Sequence, residues 1–277
     1  MNNDIDVAFV LGAGSSLGGV QVGMLKALAE CGIEPDVVVG SSVGALIGVV
    51  FAGQPDVEGV ARSEEMWRAL HPREVVPRRW PTPYLGVLRR REGLYPNDRA
   101  RAWLQRTLPA PRFEDLPVPF HCVATEVDGA QERWFDRGPL LEPVLASMST
   151  PLAFPSVVIE GRSYIDGGTV NDVPVDRAAA LGARTIYTLE AGRMHRTFEV
   201  KRPLNAAQRA LALARRHRYE SMLARLPDDV VVHRLPTGDP EQASFSDLGR
   251  TGEYIDRAHD ASLTYLKELD SSSAEPE

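Results

Sequence analysis

The stretch VVVGSSVGALIGVV (residues 37–50) decides the fold. Three valines lead directly into GSSVG (residues 40–44), and a second apolar run follows with no polar linker. The first run predicts a strand buried on both faces, and the run after the glycines predicts a buried helix. The whole uncharged region, residues 37–53, is shorter than the roughly 20 apolar residues that a membrane span needs. We therefore interpret it as a strand, a tight turn and a helix.

Short apolar runs alternate with segments of helical spacing along the rest of the chain. Residues 20–28 predict one helix, and a longer helix is expected from Leu204 onward, with Arg218 interrupting its apolar face. Strands that alternate with helices imply an α/β fold, in which a parallel sheet is covered on both sides. The predicted apolar face of the long helix comprises Ala207, Leu211, Ala214, Met222 and Leu226. The predicted strands are residues 7–11, 36–39, 120–124, 157–159, 185–189 and 230–232.

Composition places the chain among ordinary globular proteins. Of its 277 residues, 43% are hydrophobic and 25% charged, and 38 acidic against 31 basic side chains give a net charge of −7. This balance argues against a protein that binds nucleic acid over its whole surface. The two cysteines, Cys31 and Cys122, form no CxxC motif, so we expect neither a zinc site nor a disulfide. The acidic start MNNDIDVAF lacks the basic region of an export signal, which predicts a cytoplasmic location.

The net charge is the sum of segments with opposite charge. Residues 62–106 hold eleven Arg and five acidic residues, residues 193–225 nine basic and two acidic, and residues 237–277 three basic and ten acidic. The first segment is also rich in proline, which predicts a mostly irregular insertion over the sheet. Its Trp and Tyr side chains make it a candidate lid that contacts a membrane surface. The alternative is a solvated segment whose aromatic side chains pack on the core.

GSSVG has the form of a nucleophile elbow, in which a serine stands on a strained turn between a strand and a helix. Gly40 and Gly44 supply the small residues that such a turn needs on either side of Ser42. A second match, GSSLG (residues 14–18), lies inside a longer glycine loop rather than at a tight junction. We therefore assign the nucleophile to Ser42 rather than Ser16, with an ordinary tight turn as the alternative.

The serine needs a partner that accepts its proton. Asp166 is a better candidate than any histidine, because YIDGG (residues 164–168) places its carboxylate at the end of a strand. Gly167 and Gly168, which follow it, have no side chains and so leave the backbone room to turn. The alternative interpretation of Asp-Gly-Gly is a simple turn with no catalytic role. No histidine lies in a recognisable catalytic motif among His71, His121, His195, His217, His233 and His259.

The glycine-rich loop LGAGSSLGG (residues 11–19) has two interpretations. Such a loop can bind the pyrophosphate of a dinucleotide, but Leu17 stands where GxGxxG needs its third glycine, and Asp36 precedes the second strand. The Tyr-xxx-Lys pair of a short-chain reductase is also absent. In the other interpretation, the amides of this loop form an oxyanion hole that faces Ser42 from the adjacent strand.

Together these motifs resemble the patatin-like phospholipase family. The order is a glycine-rich loop (residues 12–19), then GxSxG (residues 40–44), then Asp-Gly-Gly (residues 166–168). An ordered set is more specific than any one motif. The resemblance spans roughly residues 7–174, and it also rests on GMLKAL (23–28), ATE (124–126), AS (146–147), Pro151 and FP (154–155).

The resemblance implies a three-layer α/β/α fold with a largely parallel sheet, and hydrolysis of lipid acyl esters by a Ser–Asp dyad. By position, Ser42 is the nucleophile and Asp166 the base, and the amides of Ala13, Gly14 and Ser15 form the oxyanion hole. The family's loop usually reads Gly-Gly-Gly-x-Arg-Gly. This chain departs from that pattern, because Leu17 stands in place of the basic residue. The alternatives are an inactive binding protein on the same scaffold and, less favoured, a dinucleotide-binding reductase.

The domain prediction follows from the resemblance and from the composition. We expect a hydrolase domain over residues 1–236 with residues 62–106 as its lid, a helical extension packed on it over residues 237–270, and a disordered tail over residues 271–277. The predicted partners are a lipid ester and a membrane surface contacted peripherally through the lid. No metal, cofactor or nucleic acid is expected, and the sequence indicates no oligomeric state.

Overall fold

The structure is a computed structural model that describes residues 5–70, 93–191, 203–238 and 249–273. Eight strands in these residues form one sheet, in the order β5-β6-β3-β2-β1-β7-β8, and β4 also pairs with β3. The strands are β1 (Val7–Leu11), β2 (Val37–Ser41), β3 (Phe120–Glu126), β4 (Gln131–Phe135), β5 (Val157–Ile159), β6 (Arg162–Asp166), β7 (Thr185–Leu189) and β8 (Val231–Arg234).

Helices cover both faces of the sheet. They are α1 (Gly18–Glu30), α2 (Val43–Ala52), α3 (Val57–Ala69), α4 (Asp98–Thr107), α5 (Leu141–Ser147), α6 (Val175–Ala180), α7 (Pro203–Leu223) and α8 (Thr251–Ser273). None of the helices within the described ranges is long and apolar enough to cross a bilayer.

The side chains of β1 alternate between two hydrophobic cores, one on each face of the sheet. Phe9 and Leu11 point into a core shared with α1, α2, α3 and α8, whereas Ala8 and Val10 point into a second core shared with α6 and α7. Side chains alternate across a strand, so a strand that is apolar throughout must be covered on both faces. The predicted three-layer α/β/α fold is confirmed.

Most of the sheet is parallel. The strands β1, β2, β3, β7 and β8 run in one direction, and β4 and β6 pair antiparallel with β3. The predicted strands 7–11, 157–159 and 185–189 have their bounds confirmed, and three others are shifted or extended by one or two residues. The strand β4 is missing from the prediction.

The long helix α7 buries only part of the face that was predicted. Leu211 is 41% exposed, Ala214 is also exposed, and Leu226 lies beyond the end of the helix. The side that faces the protein instead carries Tyr219, which is buried, and two arginines paired with acidic residues, Arg215 and Arg218. The prediction was wrong at Leu211 and Ala214, because ion pairs with acidic residues let arginines occupy the inner face. Met222 and Leu226 of the predicted face do pack against the second core.

The predicted lid, residues 62–106, is helical at both of its described ends. Its first residues belong to α3 and its last to α4. Trp67 and Trp103 are 3% and 6% exposed and pack in the core. Residues 71–92, with the rest of the lid's aromatic side chains except Tyr95, lie outside the described residues.

The C-terminal helix α8 packs along α1. The two backbones lie close together at Gly23, where an added β-carbon would stand 2.2 Å from the carbonyl oxygen of Ile255. The helix continues to Ser273, so the first three residues of the predicted disordered tail are helical. The hydroxyls of Ser271 and Ser272 donate to the carbonyl oxygen of Glu268 and support this last turn.

Candidate active site

The sheet places the ends of β2 and β6 next to each other on one edge of β3. Ser41, the last residue of β2, pairs with Val123, and Asp166, the last residue of β6, pairs with Ala124. Since β4 occupies the opposite edge of β3 at these positions, β2 and β6 must share the remaining edge. The two strands run in opposite directions, so their carboxyl ends meet there.

The turn after β2 holds Ser42 in a strained conformation. Its φ of 57° and ψ of −124° lie where non-glycine residues are rare, between the end of β2 and the start of α2. Neighbouring backbones crowd the turn: a β-carbon at Gly44 would stand 2.1 Å from the carbonyl oxygen of Leu11, and one at Gly40 would stand 2.6 Å from the α-carbon of Ala45. A side chain at either glycine would therefore collide with backbone atoms.

Ser42 and Asp166 are in direct contact. The Ser42 hydroxyl donates a hydrogen bond of 2.9 Å to Oδ2 of Asp166, and the two residues are 5% and 3% exposed. The backbone N–H of Ser42 donates at 2.9 Å to the hydroxyl of Ser147, and this bond ties the turn to α5. A serine at a strand–helix turn bonded to a buried carboxylate has the geometry of a nucleophile and its base.

Several donors orient the carboxylate of Asp166. Thr150 donates its hydroxyl hydrogen to Oδ2 at 2.8 Å, and the N–H of Gly168 donates to Oδ1 at 2.8 Å. Burial raises the pKa of Asp166, and this rise is opposed first by the charge of Arg215 and then by the bonds from Thr150, Ser42 and Gly168. The glycine after Asp166 is required as well, because a β-carbon at Gly167 would stand 2.2 Å from the carbonyl oxygen of Val123.

The glycine-rich loop lies next to Ser42 and Asp166. Gln21, fully buried, donates to the carbonyl oxygens of Gly12 and Leu189 at 2.6 and 3.0 Å and so ties the loop to β7. The loop packs against the Asp-Gly-Gly turn, since a β-carbon at Gly168 would stand 2.7 Å from that of Ala13.

Of the three predicted oxyanion residues, Ala13 does not fit that role in this arrangement. Its backbone N–H is already donated to the carbonyl oxygen of Asp172 at 2.9 Å. Gly14 and Ser15 remain as candidate donors, and Ser15 has a φ of 50°, which is the left-handed conformation that favours glycine. The second predicted serine, Ser16, lies in a short 3₁₀ turn and not at a strand–helix junction.

The glycine loop does not present the surface that a pyrophosphate requires. The space beside Gly14 is filled by Ala191, 2.2 Å from the position of a β-carbon, and the space beside Gly18 is filled by Trp67 at 2.8 Å. These glycines allow close packing of protein against protein. This packing disfavours the dinucleotide interpretation.

The described histidines have other partners than Ser42. His121 lies 3.2 Å from Arg177, and burial together with the charge of Arg177 lowers its pKa to about 4. His233 contacts Tyr265, and His259 lies 3.1 Å from Glu30. His217 is exposed on α7, and the two remaining histidines, at 71 and 195, lie outside the described residues.

Sequence reasoning missed the residues that support the pair. Ser147 carries a signal, since it belongs to the Ala-Ser motif quoted for the resemblance, but nothing local distinguishes Thr150 or Thr125, whose hydroxyl donates to the carbonyl oxygen of Asp166 at 2.8 Å. No local pattern singles out Asp172, and Arg215 is only one of the nine basic residues of segment 193–225. Each of these residues reaches the site by contacting residues that are distant from it in the sequence.

Comparisons with known proteins show which proteins this chain is similar to. The family model of the patatin-like phospholipases matches residues 9–179. The chain is 31% identical over 204 residues to patatin-like phospholipase domain-containing protein ZK370.4 of Caenorhabditis elegans, and 29% identical over 191 residues to patatin-like phospholipase domain-containing protein 7 of Rattus norvegicus. It is also 29% identical over 195 residues to lysophospholipase nte1 of Aspergillus fumigatus.

These relatives are much longer than the chain. The matches cover 69%, 67% and 67% of this chain but 14%, 14% and 12% of the relatives. Among solved structures, VipD from Legionella pneumophila aligns with a TM-score of 0.48 at 12% identity, over 96% of this chain and 67% of that one.

Proposed function

The chain belongs to the patatin-like phospholipase family, and from that premise we propose that it is a serine acyl hydrolase that cleaves carboxylic esters of lipids. The observation that carries the proposal is the bond of 2.9 Å between the hydroxyl of Ser42 and Oδ2 of Asp166. The names of the relatives, phospholipases and a lysophospholipase, support a lipid ester as the substrate class.

In the first step, Oγ of Ser42 attacks the ester carbonyl while Oδ2 of Asp166 accepts the hydroxyl proton. The carbonyl oxygen becomes an oxyanion, which the amides of Gly14 and Ser15 and the N-terminus of α2 stabilise. The intermediate then collapses, the bond to the alcohol breaks, and Asp166 returns its proton to the leaving oxygen. An acyl-enzyme on Ser42 remains.

In the second step, water attacks the acyl carbonyl and gives a proton to Asp166. Collapse of the second intermediate breaks the bond between Oγ and the acyl group, and the proton returns to Ser42. The products are the free fatty acid and, from the first step, the alcohol. Both steps require Asp166 to be ionised at the start, which its burial opposes.

The proposal is tested by turnover of p-nitrophenyl esters and by labelling with a fluorophosphonate. We expect Ser42→Ala to abolish both, and Asp166→Asn to lower kcat by about 10²-fold or more, the lower range for removal of a general base. Ser163→Ala, three residues before Asp166 on β6, is the control for expression and folding. Unchanged turnover in Ser42→Ala would refute the assignment.

The alternative, a binding protein without hydrolase activity, has one observation in its favour. The amide of Ala13 is occupied by Asp172, so the candidate oxyanion hole has one donor fewer than the resemblance implies. Loss of a single such donor is worth about 3 kcal/mol in the barrier. A wild-type protein that is folded but takes no fluorophosphonate label would favour this alternative.

We further propose peripheral contact with a lipid surface through residues 62–106, in keeping with a cytoplasmic location. The support is compositional, since eleven Arg stand against five acidic residues in that segment. Co-sedimentation with vesicles that contain anionic lipid is the test. Binding at low salt that weakens as salt is added is expected, and no binding at low salt would refute the contact.

A further inference from the structure

The helix α7 brings a charged side chain to the candidate active site from outside the region that the family model matches. Arg215 lies 3.3 Å from Oδ1 of Asp172, measured from one of its terminal nitrogens. The side chains are 23% and 6% exposed, so this ion pair is largely shielded from water. The family model ends at residue 179, and α7 begins at Pro203.

Asp172 lies between the glycine-rich loop and Asp166. Its carbonyl oxygen accepts the N–H of Ala13 in the glycine-rich loop at 2.9 Å. Its Oδ1 and the Oδ1 of Asp166 both lie 3.1 Å from the point where a β-carbon of Gly168 would stand, so the two oxygens are at most twice that distance apart. Two buried carboxylates so close together repel each other when both are ionised.

We propose that Arg215 is a positioning residue for the hydrolysis proposed above, and that its charge neutralises Asp172 and keeps the neighbouring Asp166 ionised and ready to accept a proton. The inference rests on the proposed function. Through Asp172, the same side chain also holds the glycine-rich loop over Ser42.

Within the described residues, Arg215 is the only cation among the groups around Asp166. Ser42 and Thr150 are neutral donors, and the N–H of Gly168 is a backbone donor. Cys122 on β3 is a neutral thiol, because burial raises its pKa to about 12. Asp172 is the other carboxyl group beside it, and the charge of Arg215 is the largest influence that lowers the pKa of Asp166.

The experiment measures the acid limb of the pH profile of kcat/KM with a soluble p-nitrophenyl ester. Arg215→Met should move this limb to higher pH by about 1 to 3 units, the size of the effect of one nearby opposite charge. Arg215→Lys should retain most of the wild-type profile. An unchanged limb in Arg215→Met would overturn the proposal.

A double variant separates charge from packing. In Arg215→Met/Asp172→Asn both charges are absent, so the limb should return toward that of the wild type; Asp172→Asn alone should move it to lower pH. If Arg215 only fills space, the double variant will be as impaired as Arg215→Met, which contradicts the proposal. The single Asp172→Asn variant keeps the test decisive if Arg215→Met does not fold.

A second measurement does not depend on turnover. In Ser42→Ala protein with ¹³C-labelled aspartate carboxyls, the Asp166 signal is assigned by its loss in Asp166→Asn and titrated with and without Arg215→Met. A higher pKa without Arg215 supports the inference even if the esterase assay fails. An inactive wild-type protein would refute the proposed function, whereas an unmoved Asp166 titration would refute the inference alone.

Discussion

The proposed mechanism requires Asp166 to be charged in a buried position, where charge is unfavourable. It is 3% exposed, and burial raises its pKa despite the bonds from Ser42, Thr150 and Gly168. A carboxyl with a raised pKa in the folded state binds its proton more tightly than the unfolded chain does. Its favourable contribution to stability is therefore present below the unfolded pKa and lost as pH rises through the folded pKa.

We expect Asp166→Asn to be more stable than the wild type at pH 7, although it is impaired in turnover. The amide is neutral and can still accept from Gly168 and donate to Ser42 and Thr150. Thermal unfolding is the measurement, in which about 1 kcal/mol corresponds to roughly 2–4 °C in Tm for a domain of this size. The difference in Tm should narrow as the pH is lowered toward the range where Asp166 is protonated. A variant less stable than wild type at pH 7 would contradict this account.

At the scale of elements, α1 and α8 depend on a small residue for their contact. A β-carbon at Gly23 would stand 2.2 Å from the carbonyl oxygen of Ile255 and 2.9 Å from the backbone nitrogen of His259. Both of these are backbone atoms, so a rotamer change cannot relieve the contact. One helix would have to move away from the other.

Gly23→Ala should therefore destabilise the protein by roughly 1–3 kcal/mol, the usual penalty for overpacking, even though alanine favours a helix. The free energy of unfolding in urea measures the change. Lys26→Ala, on the partly exposed side of the same helix, is the control and should stay within about 0.5 kcal/mol of wild type. Equal stability of Gly23→Ala and wild type would show that α8 is not packed as described.

Elements with an uninterrupted apolar pattern could be predicted from the sequence, and others could not. The strands β1 and β7 are apolar runs buried on both faces, so their bounds follow from the pattern. By contrast, β4 reads QERWF and is half exposed, so its membership in the sheet depends on pairing with β3. In the same way Ser42 and Asp166 were predicted from motifs, whereas Thr150 and Arg215 reach them from segments that carry no local signal.

At the scale of the whole molecule, a buried histidine contributes to the loss of stability in acid. His121 is 7% exposed next to Arg177, and burial and that charge lower its pKa from 6.5 to about 4. The unfolded chain then binds a proton that the folded protein does not. Stability is consequently lost as pH falls from 6.5 toward 4.

We expect His121→Gln to weaken this acid sensitivity, because glutamine does not titrate and its carbonyl oxygen can accept from Arg177. The measurement is Tm of both proteins from pH 7 to pH 4.5. The wild type should lose Tm faster than the variant over this range. Parallel curves would mean that His121 does not contribute.

The meeting of β2 and β6 on one edge of β3 has a consequence for synthesis. Ser42 and Asp166 are 124 residues apart in the chain, and β3, which aligns them, is made between the two. A nascent chain that has emerged only as far as α5 carries the serine but not its base. The contact between Ser42 and Asp166 therefore forms only once β6 has joined the sheet, so the hydrolysis proposed above could not begin while this strand is still inside the ribosome.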